Sequence, residues 1–335
     1  MYAVGGQTAL RVPLVSAVFE HDGGRWVEGP GLKYFGNPAA VFGASTTLDA
    51  AGRPVVFGGY TLPGRKRSVG AAVLARGDTL ERDKWDALPQ LAHPRLGAGA
   101  ALVNGCVYAL GGCNGARPLQ AMERLAAGAT EWQPAPDMLT ARYGFNAVAL
   151  SGRIYAIGGT GSGGRALSSA EVFDAVSGTW SKLPSMLGPR KWASAVAARG
   201  CIWVAGGSST VARGAGLRSV EYFDPRAASG RGAWVEGPNM LQPREMPVLF
   251  AQPDGTLIAA GGRSGDTFLR TAERLSLGAA AWERAPEFDL PIPLAGAVGI
   301  VTAAARKKSG GTATPTQKKV ANLAPNGSRK RARAA

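Results

Sequence analysis

Six glycine doublets recur along the chain, each closing an apolar run and each followed by a lone tryptophan. The doublets are Gly5-Gly6, Gly58-Gly59, Gly111-Gly112, Gly158-Gly159, Gly206-Gly207 and Gly261-Gly262. Trp26, Trp85, Trp132, Trp180, Trp234 and Trp282 follow them in turn, one to each repeat. Such spacing falls in the range of propeller blades, units that bury their faces only against neighbouring copies. A repeat array of this kind makes one large all-β ring the expected fold, although length alone would allow two domains. The 48 glycines and 22 prolines in 335 residues suit many short strands joined by turns.

Each repeat has the same internal order. Small and apolar residues (98–103, 146–150 and 193–198) lead into a tight turn: Asn104-Gly105, Ser151-Gly152 or Arg199-Gly200. A β-rich run then ends in the doublet, as in Cys106-Val107-Tyr108-Ala109-Leu110, which is a hairpin signal. A loop leads to a third strand with an acid at a fixed place: Glu123, Glu171, Glu221 and Glu273. The tryptophan opens the fourth strand, and the four are designated a to d. The doublet is predicted where a strand end abuts the next blade and the backbone needs φ values that glycine adopts cheaply. The tryptophan suits an inter-blade wedge with one N–H to satisfy. Acids recurring in register argue for a repeated structural bond, to backbone or to an arginine, rather than a catalytic pair.

On these residues the chain resembles the Kelch-repeat family, closest in pattern to the propellers of Kelch-like (BTB-Kelch) adaptor proteins. The resemblance rests on the doublets, the tryptophans, Glu-aromatic-Asp on strand c (Glu171 to Asp174, Glu221 to Asp224) and Met-x-x-x-Arg between blades. That element reads Met138 to Arg142, Met186 to Arg190 and Met240 to Arg244. It covers about residues 1–305, with degenerate first and second repeats. Met1 begins in strand b, and an unpartnered run from Leu294 to Val301 is patterned like strand a. A C-terminal strand completing blade 1 would close a six-bladed ring of four-stranded antiparallel blades with no open edge. The resemblance implies the same closure. The BTB and BACK domains that precede the blades in such adaptors have no counterpart in this sequence, so whether Met1 is the true start stays open.

Catalytic patterns are sparse. His21 and His93 lie in separate, degenerate repeats, far from the converging His/Cys set a zinc or copper site uses. No cofactor or metal is predicted. Galactose oxidase shares Kelch repeats, but its copper ligands have no matching constellation here. Gly161-Ser162-Gly163-Gly164 reads as an inter-strand loop, since no Lys-Ser/Thr follows it. Three cysteines cannot all pair with one another, and Cys106 and Cys201 sit at equivalent strand positions, which fits reduced thiols. No apolar run approaches the length a membrane span needs, so none is predicted. The N-terminal residues lack a signal-peptide pattern, so a nuclear or cytoplasmic location is expected.

The loops carry the functional expectation. In an antiparallel four-strand blade the b–c and d–a loops emerge on one face. The b–c loops hold Arg11; Arg65, Lys66 and Arg67; Arg117; Arg165; Arg213 and Arg218; Arg263 and Arg270, against a single acid, Asp266. The d–a segments add Arg95, Arg142, Arg190, Lys191 and Arg244 with Tyr143 and Trp192, together with acids such as Asp137, Glu236 and Glu245. Ringed around a channel mouth, such cations focus a positive potential toward an acidic ligand. Arginine suits bidentate capture of carboxylate. In Kelch-like adaptors the corresponding face holds the substrate degron. The expected partner set is Arg11, Arg65, Arg67, Arg117, Arg142, Tyr143, Arg165, Arg190, Trp192, Arg213, Arg218, Arg263 and Arg270. The competing reading is a solvated arginine-rich surface.

Formal net charge is +15, but nine of the 38 basic residues lie from Arg306 onward with no acid among them. That leaves 29 against 23 acids, or +6, for the body. Residues 306–335 read as a disordered basic tail. Lys318, Lys319, Arg329, Lys330, Arg331 and Arg333 form a nuclear-import pattern or a nucleic-acid-contacting arm. The leading functional expectation is a non-catalytic module gripping an acidic partner segment. The resemblance adds substrate recognition for a cullin-type ubiquitin ligase. An arginine ring would also suit a carboxylated sugar, as in enzymes resembling the sialic-acid epimerases. Nucleic-acid association through the tail is a third reading.

Overall fold

A computed structural model describes backbone and side chains for residues 43–59, 86–209, 214 and 216–296, and further strands by backbone alone. Most strands gather into six antiparallel sheets in the order a-b-c-d, beside two two-stranded sheets, Lys33–Tyr34 with Asn37–Pro38 and Arg263–Ser264 with Thr267–Phe268. Blade 2 is Val41–Leu48, Pro54–Thr61, Ala71–Ala75 and Lys84–Leu88, with Lys66–Arg67 paired beside its strand b. Blade 3 is Gly99–Val103, Cys106–Leu110, Met122–Ala126 and Gln133–Ala135, and blade 4 is Asn146–Leu150, Arg153–Ile157, Ala170–Asp174 and Thr179–Leu183. Blade 5 is Ser194–Ala198, Cys201–Ala205, Val220–Asp224 and Ala233–Gly237. Blade 6 is Val248–Ala251, Leu257–Ala260, Ala272–Leu275 and Glu283–Arg284.

Blade 1 is assembled from both ends of the ring. Val298–Ile300 pairs antiparallel with Tyr2–Val4, in the register Tyr2↔Ile300, Ala3↔Gly299 and Val4↔Val298. Val18–His21 and Trp26–Glu28 complete that sheet. Each innermost strand neighbours the next around the circle, from blade 2 through blade 6 to Val298–Ile300 and back to Val41–Leu48. The predicted six-bladed propeller, closed by a C-terminal strand, is the observed architecture. Ladder hydrogen bonds fasten the closure, joining the two ends of the ring within one sheet.

The core is a series of layers between blades. Val55, Phe57, Val107, Leu125 and Trp132 pack blade 2 against blade 3, and Tyr108, Leu110, Ile154 and Phe173 pack blade 3 against blade 4. Tyr155, Ile202, Val204, Phe223 and Trp234 do so for blades 4 and 5. Strand alternation drives this: residues i and i+2 of a strand face one neighbour and i+1 faces the other, so strand b is apolar on both faces. Strand b of blade 5, Cys201–Ala205, is buried at every residue.

The tryptophans behave as wedges with a satisfied donor. The Nε1 atoms of Trp132, Trp180, Trp234 and Trp282 donate to the carbonyl oxygens of Pro89, Pro136, Pro184 and Pro238 of the preceding blade, each at 2.9 Å. The doublets behave as expected too. Both glycines have positive φ in the five described doublets, and a Cβ on Gly111 would stand 2.7 Å from the Arg142 carbonyl oxygen. Contacts divide the chain into a unit Met1–Ala303 and a unit Ala304–Ala335. The tail residues, including Lys318, Lys319, Arg329, Lys330, Arg331 and Arg333, lie outside the described residues. Among the described residues no helix is long and apolar enough to cross a membrane.

Candidate functional site: the loop face and channel mouth

Four arginines at equivalent d–a positions hold the blades together. The Arg142 guanidinium donates through Nε and Nη2 to Glu171 Oε1 at 3.1 and 2.8 Å, and through Nη1 to the Gly158 and Ser169 carbonyls at 2.6 and 3.0 Å. The second Glu171 oxygen accepts from the Leu139 backbone N–H at 2.7 Å. The same pattern joins Arg95 to Glu123, Arg190 to Glu221 and Arg244 to Glu273. Meanwhile the arginine carbonyls accept from the second glycine of the preceding blade's doublet: Gly59 to Arg95, Gly112 to Arg142, Gly159 to Arg190 and Gly207 to Arg244. One residue therefore ties its own blade with the side chain and the previous blade with the backbone. At the last junction Leu294 replaces the arginine and keeps only the backbone bond, from Gly262.

This geometry redefines part of the expected partner set. Arg142 and Arg190 are buried, at 0 and 5% exposure, with their forks occupied inside the ring. Burial pushes the Arg95, Arg142 and Arg244 guanidinium groups below the ordinary arginine value, opposed by the facing carboxylates. Arg263 is also buried, in an ion pair with Glu245 across a local bridge. None of these presents an exposed guanidinium to a partner. The sequence signal was present: arginine recurs in register as faithfully as the strand-c glutamate. Periodicity marks both as parts of one bond.

Arg117, Arg165, Arg218 and Arg270 lie in the corresponding b–c loops of blades 3 to 6 and are exposed. Asn114 shapes the first of these loops, its Oδ1 accepting from the Ala116 and Arg117 N–H groups at 3.0 and 3.1 Å. In blade 4 the Gly161 N–H donates to the Arg165 carbonyl at 3.1 Å, closing an inter-strand turn. Arg67 lies in the short strand Lys66–Arg67, described by backbone alone, while Arg11, Arg65 and Arg213 fall outside the described residues. Lys191 is half-buried with no side-chain partner among the described residues. Leu139, Leu187 and Leu241 follow the inter-blade methionines and are exposed at 44, 62 and 49%. They carry no signal in the sequence, because a single surface leucine is unremarkable.

Nearer the axis a second set of equivalent residues rings the channel. Gly43, Gly97, Gly144, Trp192, Met246 and Gly296 all have φ between +53 and +70°. Each N–H from Gly97 onward donates to the carbonyl of the previous member, at 2.7 to 3.2 Å. Trp192 and Met246 adopt a conformation that costs a non-glycine residue about 1–3 kcal/mol. Tyr143 stands beside Trp192, rings edge to face at 6.1 Å. The channel below holds a cavity of about 170 Å³ whose described lining has no ionisable side chain. Among the described residues no three His, Cys, Asp or Glu side chains converge to hold a metal. His93 is half exposed, 3.7 Å from Glu123.

A closed propeller whose blades share an Arg–Glu junction and a glycine doublet defines a class of repeat protein. The sequence model of the Kelch motif matches residues 94–139, 141–187 and 189–241, so the chain carries three Kelch motifs in tandem. Each matched segment spans one arginine and the strand-c glutamate it binds. No curated protein matches the chain in sequence. Among solved structures, that of YjhT is similar, with a TM-score of 0.66 at 14% identity, covering 84% of this chain and 96% of that one. A likeness at that identity shows the fold.

Proposed function

We propose that the chain is a non-catalytic binding module that takes an acidic segment of a protein partner on the face made by its b–c and d–a loops. The observation that carries this is the set of Arg117, Arg165, Arg218 and Arg270, exposed in successive loops of one kind while the arginines of the junctions are withdrawn. Positive charge presented on one rim steers an acidic ligand and offers bidentate hydrogen bonds on arrival. Exposed Leu139, Leu187 and Leu241 add apolar contact on the same loop face. Kelch propellers are commonly protein-binding.

The test is binding of an Asp/Glu-rich peptide library to the wild type and to the Arg117→Glu/Arg165→Glu/Arg270→Glu variant. Capture should disappear in the variant while its melting temperature stays close to wild type. Unchanged peptide capture would sink the reading. Substrate recognition for a cullin-type ligase is the proposed setting. Nuclear import rests on the basic residues of 318–333, and deleting 306–335 from a fluorescent fusion tests it.

A further inference from the structure

The loop face carries an apolar feature that the ring does not require. Leu139, Leu187 and Leu241 occupy one register, each directly after a buried inter-blade methionine. Ala92 and Pro291 fill that register at the two flanking junctions, so leucine there is not a demand of the fold. Of the six large apolar side chains exposed among the described residues, three stand at this register; the others lie in c–d turns or in strand d. Surface leucines scattered singly need no explanation, but three in register on adjacent blades do.

The backbone under each leucine is anchored from two sides. The Leu139, Leu187 and Leu241 N–H groups donate across the junction to Oε2 of Glu171, Glu221 and Glu273, at 2.7, 2.8 and 2.5 Å. The N–H groups of Met138, Met186 and Met240 donate to the Gln120, Ser168 and Arg218 carbonyls, which sets each leucine beside the b–c loop of its own blade. Those loops bear the exposed Arg117, Arg165 and Arg218. Blades 3, 4 and 5 therefore each present one leucine and one arginine, on a backbone that needs no ordering when a ligand arrives. In the loops of these three blades the one exposed acid among the described residues is Asp137. Glu245 is buried in its pair with Arg263.

From this we propose that the arc of blades 3 to 5 takes an amphipathic acidic segment of a protein partner, with apolar side chains interspersed among its carboxylates. The inference rests on the reading of the loop face as an acidic-segment site and adds that leucine contacts, not charge alone, select the partner. Carboxylates meeting arginines speed encounter and are screened by salt. Apolar side chains meeting the leucines contribute affinity that salt leaves in place.

The probes are two labelled peptides of equal length and charge, one of glutamate and serine, the other with leucine in place of alternate serines. Binding to the full chain is followed by fluorescence anisotropy. The leucine peptide should bind at least tenfold tighter, and the preference should persist when added salt weakens both. Leu139→Ala/Leu187→Ala/Leu241→Ala, alanine being the residue blade 2 has at this register, should bring the leucine peptide down to the affinity of the serine peptide and leave the latter unchanged. If that variant does not fold, Leu187→Ala alone, at the most exposed of the three, should weaken the leucine peptide at least threefold. Failure of both peptides to bind would sink the acidic-segment reading and this inference with it. Equal affinity of the two for wild type, or an undiminished preference in the leucine variants, would overturn this inference alone. Leucine-dependent binding of phosphatidylserine vesicles by a chain with no peptide preference would give the face to a membrane and overturn it as well.

Discussion

Replacing Arg142 by leucine tests whether the junction arginines are structural. Both members of the pair are sequestered, Arg142 at 0% and Glu171 at 1% side-chain exposure. The substitution strands the Glu171 carboxylate and takes the donor from the Gly158 and Ser169 carbonyls. Removing one partner of a buried ion pair costs about 3–5 kcal/mol, of which the orphaned Gly158 carbonyl forms part; the Ser169 carbonyl keeps its bond from the Gly158 N–H. Against a domain stability of about 5–15 kcal/mol, that is a large fraction. The double variant Arg142→Leu/Glu171→Leu removes the stranded charge, and an apolar pair in such a site is often neutral or better. Its residual cost is the Leu139 N–H and the Gly158 carbonyl, about 1–3 kcal/mol for each group left unpaired. The chain itself uses leucine at the equivalent Leu294. Urea unfolding followed by tryptophan fluorescence should therefore rank wild type above the double variant, and the double variant above the single one. Arg165→Leu, on the exposed loop, should leave the midpoint where it was. A single variant within about 1 kcal/mol of wild type, below the range expected for a broken buried pair, would refute the argument. So would a double variant no more stable than the single.

Two further outcomes follow from perturbed ionisation. Burial raises the pKa of the Cys201 thiol above its ordinary value, so at alkaline pH it should react with a thiol reagent more slowly than half-buried Cys106 and Cys113, measured by mass spectrometry of the labelled peptides. Backbone N–H groups of Ser177 and Val176, with Arg153, hold the Asp174 carboxyl below its usual range. A depressed folded-state pKa contributes stability above the ordinary carboxylate range and loses it as pH falls through the folded value. Asp174→Asn should lower stability at neutral and alkaline pH and flatten the acid slope, leaving stability at the most acidic pH close to wild type; an identical acid slope would contradict the assignment.

The sequence by itself determined the ring. Doublet spacing set the blade count, the run from Leu294 to Val301 supplied the missing inner strand, and the tryptophans marked the interfaces. Each of these is a backbone or packing requirement repeated in every copy, and repetition makes such requirements visible in one dimension. The tertiary structure decided which arginines are exposed. Arg142 and Arg165 are both loop cations of the same face, set apart in sequence only by the recurrence of the first in register, and a glutamate further along the chain, Glu171, draws the first into the core. The second faces solvent. Charge burial depends on what the fold brings opposite a side chain, and so does the reach of the Trp192 ring over Gly144 and Gly97; neither is written in local pattern.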